Sequence, residues 1–332
     1  MTRGAIGFLL HPGEGDGLVA AAVAAAQRHG FRTWTTMVRP VEDVAAHADG
    51  TELLVTVGGD GTFLFGARLA APRGIPVLGV NRGRLGFLTD LDLADLPAVI
   101  DAFARGGTSC HRRSMLTAEI SPEPTPGVGA GEGPGGPAPE TLAGQAVGSG
   151  RHTAIALNDV ALKSPEVTVV RLRVEADGEL LGEFDADGVV VASATGSTGY
   201  ALSAGGPPID PRVRAILVVP LAPHAVITRP IVLPEVTVVE IAVLHGRVLA
   251  AGDGRHLGDL GAGGRVRVAP GPELCVVRHA GSPSFLRQLR DKVRFGLPLK
   301  PIERSGPAGT PASPGGGGGA GPAAAPPGDS PS

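Results

Sequence analysis

The first hundred residues alternate two kinds of hydrophobic pattern. Residues 5–10, 52–57 and 76–80 are short apolar runs, the second β-branched at Val55, Thr56 and Val57, while the Ala-rich 18–28 and the segments 63–70 and 93–104 read as helices. Short apolar strands alternating with helices predict a parallel sheet covered on both faces. From about residue 114 the pattern changes to β-rich runs at 115–120, 152–163, 167–176, 179–184, 188–193, 215–219, 234–244, 248–251 and 265–268. Asp177-Gly178 and Asp253-Gly254 punctuate them, and Asp-Gly between strand patterns favours tight hairpins. The expected organisation is therefore α+β in two domains. A Rossmann-like α/β domain occupies 1–113 and a mainly β domain 114–283. Phe285, Leu289 and Val293 form an i, i+4, i+8 stripe that predicts an amphipathic helix closing the fold within 284–304.

Composition changes this picture at two places. Of 332 residues, 52 are Gly and 31 Pro, concentrated in 121–150 and 306–332. Neither stretch can bury enough apolar surface to fold alone, so 121–150 reads as a flexible insert between strands and 305–332 as a disordered tail. Lys and Arg number 29 against 32 Asp and Glu, a formal charge of −3, which gives no electrostatic footprint for nucleic acid or a membrane surface. The longest apolar stretch, 215–227, is broken by Pro220, Pro223 and His224 and is too short to span a bilayer. The two cysteines, Cys110 and Cys275, match neither CxxC nor a His-flanked metal pattern, which argues against a disulfide scaffold or a zinc module. A soluble, reduced, cytoplasmic protein is expected.

The strongest local chemistry lies at Gly58-Gly59-Asp60-Gly61-Thr62, where an apolar strand runs into a glycine turn and then a helix. Glycines expose backbone N–H groups there and the helix dipole favours an anion, which is how such turns hold phosphate. A carboxylate in that turn repels phosphate unless a cation or a sugar hydroxyl intervenes, which favours catalysis over simple anion binding. The same five residues also read as a plain strand-to-helix turn capped by Asp60. Neither GxxxxGK[ST] nor GxGxxG is present. A second cluster, 187–207, leads a strand into a turn rich in hydroxyls and glycines. It carries Tyr200, the one tyrosine of the chain, a ring able to stack on a planar base.

Five segments in order, GGDGT at 58–62, GVNRGRLGFL at 79–88, Asn158-Asp159, the DG…TGSTGYALSAGGP run at 187–207 and PLAPHAVITRPIVLP at 220–234, resemble the NAD kinase family in its ATP-dependent bacterial form. The resemblance covers roughly residues 6–298 without the insert. It implies an N-terminal α/β domain, a C-terminal β-sandwich that binds NAD, and transfer of a phosphoryl group from ATP, or from inorganic polyphosphate, to the 2′-hydroxyl on the adenosine side of NAD. It also implies Mg²⁺ or another divalent cation with ATP, and a homo-oligomer, dimer or tetramer. By the same resemblance Asp60 is the proton acceptor and Gly61 lies with it against the dinucleotide. Asn158 and Asp159 hold ribose and diphosphate, with Asp159 one methylene shorter than the family's Glu. Asp187 serves the nicotinamide end. Thr198, Gly199, Tyr200, Ala201 and Ser203 surround the adenine, Gly199 standing where Ala is usual. Arg255, where many members have Gln, reads either as a contact for the product 2′-phosphate or as a surface arginine after a hairpin turn. His224 reads either as a residue near a subunit contact or as a structural histidine. Two alternatives stay open: another GGDGT kinase acting on a lipid or sugar phosphate, and a non-catalytic dinucleotide-binding regulator. Against the lipid kinases, which usually continue GGDGT with Asn-Glu, this chain continues with Phe63-Leu64.

Overall fold

The computed structural model describes residues 3–11, 16–38, 46–82, 86–122, 152–165, 168–224 and 228–293. Most of the expected insert and the whole expected tail lie outside the described residues. In the N-terminal half, β1 (Ala5–Leu10), β2 (Arg32–Met37), β3 (Thr51–Val57) and β4 (Val77–Asn81) form a parallel array in the order β4-β3-β1-β2, with the two-residue β5 (Leu91–Asp92) beside β4. Every residue of β1 and β4 is buried, as strands covered on both faces require. Ile6, Phe8 and Leu10 pack with the Ala face of α1 (Ala20–Arg28), while Leu9 points the other way into the cluster of Phe63 and Leu69 on α2 (Asp60–Ala70). Ile100 of α3 (Leu96–Ala104) joins the first of these clusters.

The C-terminal half is a sandwich. One antiparallel sheet has the order β13-β12-β11-β8-β15-β16, built from β8 (Asp159–Lys163), β11 (Gly188–Ser193), β12 (Ala215–Leu221), β13 (Ile231–Pro234), β15 (Val248–Gly252) and β16 (Arg255–Leu260). It faces a layer containing β6 (Ser109–Ser121), β7 (His152–Ala156), β9 (Val170–Ala176), β10 (Glu179–Ala186), β14 (Val239–His245) and β17 (Arg265–Arg278). Leu162 and Val191 from the first sheet meet Leu116, Val174 and Ile241 from the second in one buried cluster. The long β17 pairs with β14 at one end and with β4 at the other, so the second layer and the parallel array are a single sheet. Two short helices complete the chain, α4 (Tyr200–Ser203) and α5 (Phe285–Val293).

Both Asp-Gly dipeptides form the hairpin turns expected of them. Asp177 and Asp253 take φ of 50°, followed by Gly178 at 81° and Gly254 at 74°, the paired positive φ of a type I′ turn. The run 152–163 divides into β7 and β8 at Leu157-Asn158. Several strands escape the hydrophobic pattern: β2, half-exposed and rich in Thr; the two-residue β5; β13, which only its last residue shares with an expected run; β16; and the far half of β17, whose Pro270-Gly271-Pro272 is absorbed in a register shift. The stripe expected on α5 turns by one position, for Gln288 and Leu289 are buried and Val293 is exposed.

The expectation about cysteine is corrected. Cys110 and Cys275 are joined in a disulfide, their Cα atoms 5.4 Å apart across 165 positions of sequence. Distance along the chain carried no information, because β6 and β17 pair along their length and set the two side chains diagonally across the ladder. Among the described residues no helix is long and apolar enough to cross a membrane.

Candidate active site

The turn between β3 and α2 puts Asp60 in the first turn of its helix, behind Gly59, which holds the extended N-cap conformation and makes no side-chain cap. Asp60 caps nothing in its own helix. Its carboxylate accepts from the backbone N–H groups of Phe87 and Leu88 and from the Thr89 hydroxyl, each at 3.3 Å. Gly86 makes this contact possible, since a Cβ there would stand 1.8 Å from Asp60 Oδ1. The segment Gly86-Phe87-Leu88-Thr89 is thus the cradle of the acid in GGDGT.

A cleft of about 310 Å³ opens beside this cradle. Phe87 and Leu88 form one wall and Thr195 and Thr198 of the second cluster another, so the two sequence clusters share one cavity. Its floor is basic. His111, Arg113, Arg212 and Arg278 converge there with Asp210. Burial and then the neighbouring Arg278 pull the Arg113 guanidinium down to about 10, and burial together with the same arginines holds His111 below its ordinary value. Arg278 is neutralised by Asp90 at 2.6 Å and Arg212 by Asp210 at 2.7 Å. An open cleft floored by guanidinium groups, Arg113 among them, beside a carboxylate on a helix N-terminus suits a polyanion delivered to that carboxylate.

The hydroxyls of the second cluster divide in their work. Ser193 donates to the Leu157 carbonyl and accepts from Gly196 N–H, and Ser197 ties the Ala194 carbonyl to Ile209. Both are buried and structural. Thr198 lines the cleft, Tyr200 and Ser203 are exposed, and Ala201 is buried. The loop packs directly on Asn158, for a Cβ at Gly196 would meet the Asn158 carbonyl oxygen at 1.9 Å; Gly199 faces the side chains of Asn158 and Asp159.

Asp253 organises this second corner. Its buried carboxylate accepts from Leu157 N–H at 3.0 Å, Asn158 N–H at 2.7 Å and Asp159 N–H at 3.4 Å, and pairs with Arg68 of α2 at 3.0 Å. The helix that presents Asp60 is thereby tied to the Asn158-Asp159 turn. Burial, then the charge of Asp253, push the Asp159 carboxyl up to about 7. Arg255 is not a solvated arginine. Its Nε and Nη1 are buried without hydrogen-bond partners, and burial with nearby Arg68 lowers its pKa.

Asp159 yields a pH prediction. With a folded pKa near 7 against an ordinary 3.8, the folded state holds its proton more tightly than the unfolded one. The associated stability is present in acid and is lost as pH rises from about 4 through 7. Asp159→Asn removes that slope. The ligand-free variant should be more stable than the parent by about 2–4 kcal/mol at pH 8, by roughly half as much at pH 5, and little different at pH 3, read from thermal melts at the three values.

Two expected residues stand elsewhere in the fold. Asp187 is exposed at the start of β11, whose six residues separate it by about 20 Å from the Thr198 end. His224 is exposed near the same end, its N–H donating to the Asp185 carbonyl. Arg68, Arg113, Arg278 and the Asp253 carboxylate lie outside the two sequence clusters, Asp253 being legible only as part of a hairpin turn. Only the run Arg112-Arg113 hinted at a basic element there.

Comparison with known proteins adds an independent finding. Residues 13–108 match the model of the ATP-NAD kinase N-terminal domain and residues 157–278 that of the ATP-NAD kinase C-terminal domain. An NAD kinase of Heliobacterium modesticaldum is 35% identical over 248 residues, covering 74% of this chain and 79% of the relative. An NAD kinase of Nocardia farcinica is 35% identical over 267 residues, covering 79% and 74%. Among solved structures, yeast NADH kinase complexed with NADH superposes with a TM-score of 0.72 at 23% identity, covering 91% of each chain. An Archaeoglobus fulgidus NAD kinase in complex with ATP gives 0.63 at 22%, covering 87% of this chain and 98% of that one. These two likenesses establish the fold.

Proposed function

The chain belongs to the NAD kinase family, and from that premise we propose how its residues carry out the transfer of a phosphoryl group from ATP to the 2′-hydroxyl of the adenosine ribose of NAD. The adenosine enters the cleft along Thr198, with Tyr200 against the base, and its 2′-hydroxyl lies at Asp60. The triphosphate is drawn to the cationic floor around Arg113. A sugar hydroxyl is a poor acid and a carboxylate a weak base, so Asp60 acts late, once the ribose oxygen has begun to bond phosphorus in a loose transition state. Before then it aligns the hydroxyl, and positioning of this kind supplies several kcal/mol of barrier lowering. Asn158 and Asp159, held by Asp253, face the ribose and diphosphate, and Arg255 with its unpartnered nitrogens is the candidate contact for the new 2′-phosphate.

Among the described residues no three acidic, His or Cys side chains gather around a common point. Of the carboxylates at the cleft, Asp90 and Asp210 are held by arginines and Asp60 by backbone N–H groups, so a divalent ion there would keep phosphate oxygens as its main ligands. When bound, such an ion neutralises charge on those oxygens. Asp187 stands too far along β11 to reach a dinucleotide held at Thr198 in the same protomer. A homo-oligomer whose neighbour supplies Asp187 accounts for it.

The observation that carries this reading is the cleft shared by the Asp60 cradle and Thr198. Incubation with NAD, ATP and Mg²⁺ should yield NADP, whereas a lipid or sugar-phosphate kinase, or a non-catalytic binder, would yield none. Tyr200→Ala should weaken NAD binding about tenfold, as loss of an aromatic platform under a base does, with a smaller change in kcat. An unchanged NAD Kd by titration calorimetry would remove Tyr200 from the adenine site.

A further inference from the structure

Buried donors without acceptors gather on one side of the cleft. Gln288 is 7% exposed, lines the cavity, and its Nε2 has no partner; His279, also in the lining, has an unpartnered Nε2. One turn beyond Gln288 on the same face of α5 stands Lys292, whose buried Nζ has no hydrogen-bond partner. That ammonium lies 4.7 Å from the centroid of Phe87, the residue whose N–H donates to Asp60. The carboxylates whose charge it feels are Asp60 on α2 and Asp90 just before β5, and Asp90 is already paired with Arg278. Burial nevertheless lowers its pKa, so these two charges do not repay its desolvation.

A buried donor left without an acceptor costs about 1–3 kcal/mol, and more when charged. Here two such donors lie one turn apart, both beside the wall that cradles the reacting acid. A ligand that relieves both must offer several acceptor oxygens and negative charge, which describes a phosphoryl group. We propose that Lys292 is a catalytic residue of the transfer, its ammonium binding the equatorial oxygens of the phosphoryl group in flight while Gln288 donates to a neighbouring oxygen of the donor. This rests on the kinase reading above and deepens it. The ribose 2′-oxygen forms its bond to the γ-phosphorus as the bond from phosphorus to the β,γ-bridging oxygen breaks. That electron pair departs with ADP, and the hydroxyl proton passes to Asp60. Lys292 keeps its proton throughout. Its charge also answers a difficulty of the site, since the Asp60 carboxylate would otherwise repel the phosphoryl oxygens it must approach.

The test compares Lys292→Met, Lys292→Arg and Gln288→Ala with the parent in the full chain. Lys292→Met should lower kcat about 100-fold, the loss typical of one preorganised donor at a developing charge. Its NAD Kd should stay within about twofold and its Tm within a few degrees, because the interaction forms only with the phosphoryl group. Lys292→Arg should turn over at least ten times faster than Lys292→Met. A Met variant within threefold of parental kcat, or an Arg variant no better than Met, would overturn the assignment. Binding of inorganic tripolyphosphate, measured by calorimetry, decides the matter without turnover. Gln288→Ala and Lys292→Met should each weaken it about fivefold or more and leave NAD binding unmoved; equal affinity of either variant and the parent would refute that residue's place in the donor site on α5. If the parent itself makes no NADP, the kinase reading fails, and the tripolyphosphate comparison still judges Lys292 and Gln288 separately.

Discussion

Replacing Asp60 by Asn is expected to lower kcat for NAD phosphorylation by about 10²–10⁴-fold, the range contributed by a positioned proton acceptor, while the NAD Kd stays within about threefold. The isosteric amide keeps one acceptor oxygen, for the Leu88 N–H and the Thr89 hydroxyl, loses the bond from Phe87 N–H, and cannot take a proton. Steady-state kinetics paired with equilibrium binding separates the two effects. A variant retaining near-parental kcat would show that Asp60 is a packing residue of the turn. A variant losing affinity and turnover together would show that the cradle had collapsed.

The largest expected loss of stability belongs to Asp253→Ala. The substitution strips Arg68 of its buried partner and leaves the N–H groups of Leu157 and Asn158 without their acceptor. Breaking a buried ion pair by removing one member costs about 3–5 kcal/mol, because the surviving charge remains out of water. At about 2–4 °C per kcal/mol for a domain of this class, Tm should fall by about 10 °C. NAD affinity should fall with it, since the turn that presents Asn158 and Asp159 loses its anchor. Adding Arg68→Met should recover part of the stability without recovering NAD binding, because the buried cation is gone but the turn is still unheld. Thermal melts of the single and double variants give the comparison, and an Asp253→Ala protein melting within 2 °C of the parent would refute the role.

Legibility of the sequence followed the range of the interactions concerned. The alternation of apolar runs with helical spacing defines the parallel array because burial on both faces writes itself into consecutive residues, as β1 and β4 show. The Asp-Gly hairpins were readable because their backbone requirement is local. Asp253 shows where that ends: the composition of its turn was plain, yet the partners of its carboxylate lie 94 to 185 positions away. The Asp60 cradle behaves likewise, with donors 27 to 29 residues downstream that no local pattern links to the glycine turn. The disulfide and the second half of β17 escaped for one shared reason, that strand pairing between β6 and β17 spans the chain and hides behind Pro and Gly.

β17 pairs with the sandwich along β14 and, at Val276 beside Val77, with the parallel array, so one strand ties the two halves together. Clamshell opening would have to break that junction, which favours opening at loops and side chains around the rim. Nucleotide exchange is then expected to proceed through side-chain and loop rearrangements, and crosslinking the two halves should leave turnover intact.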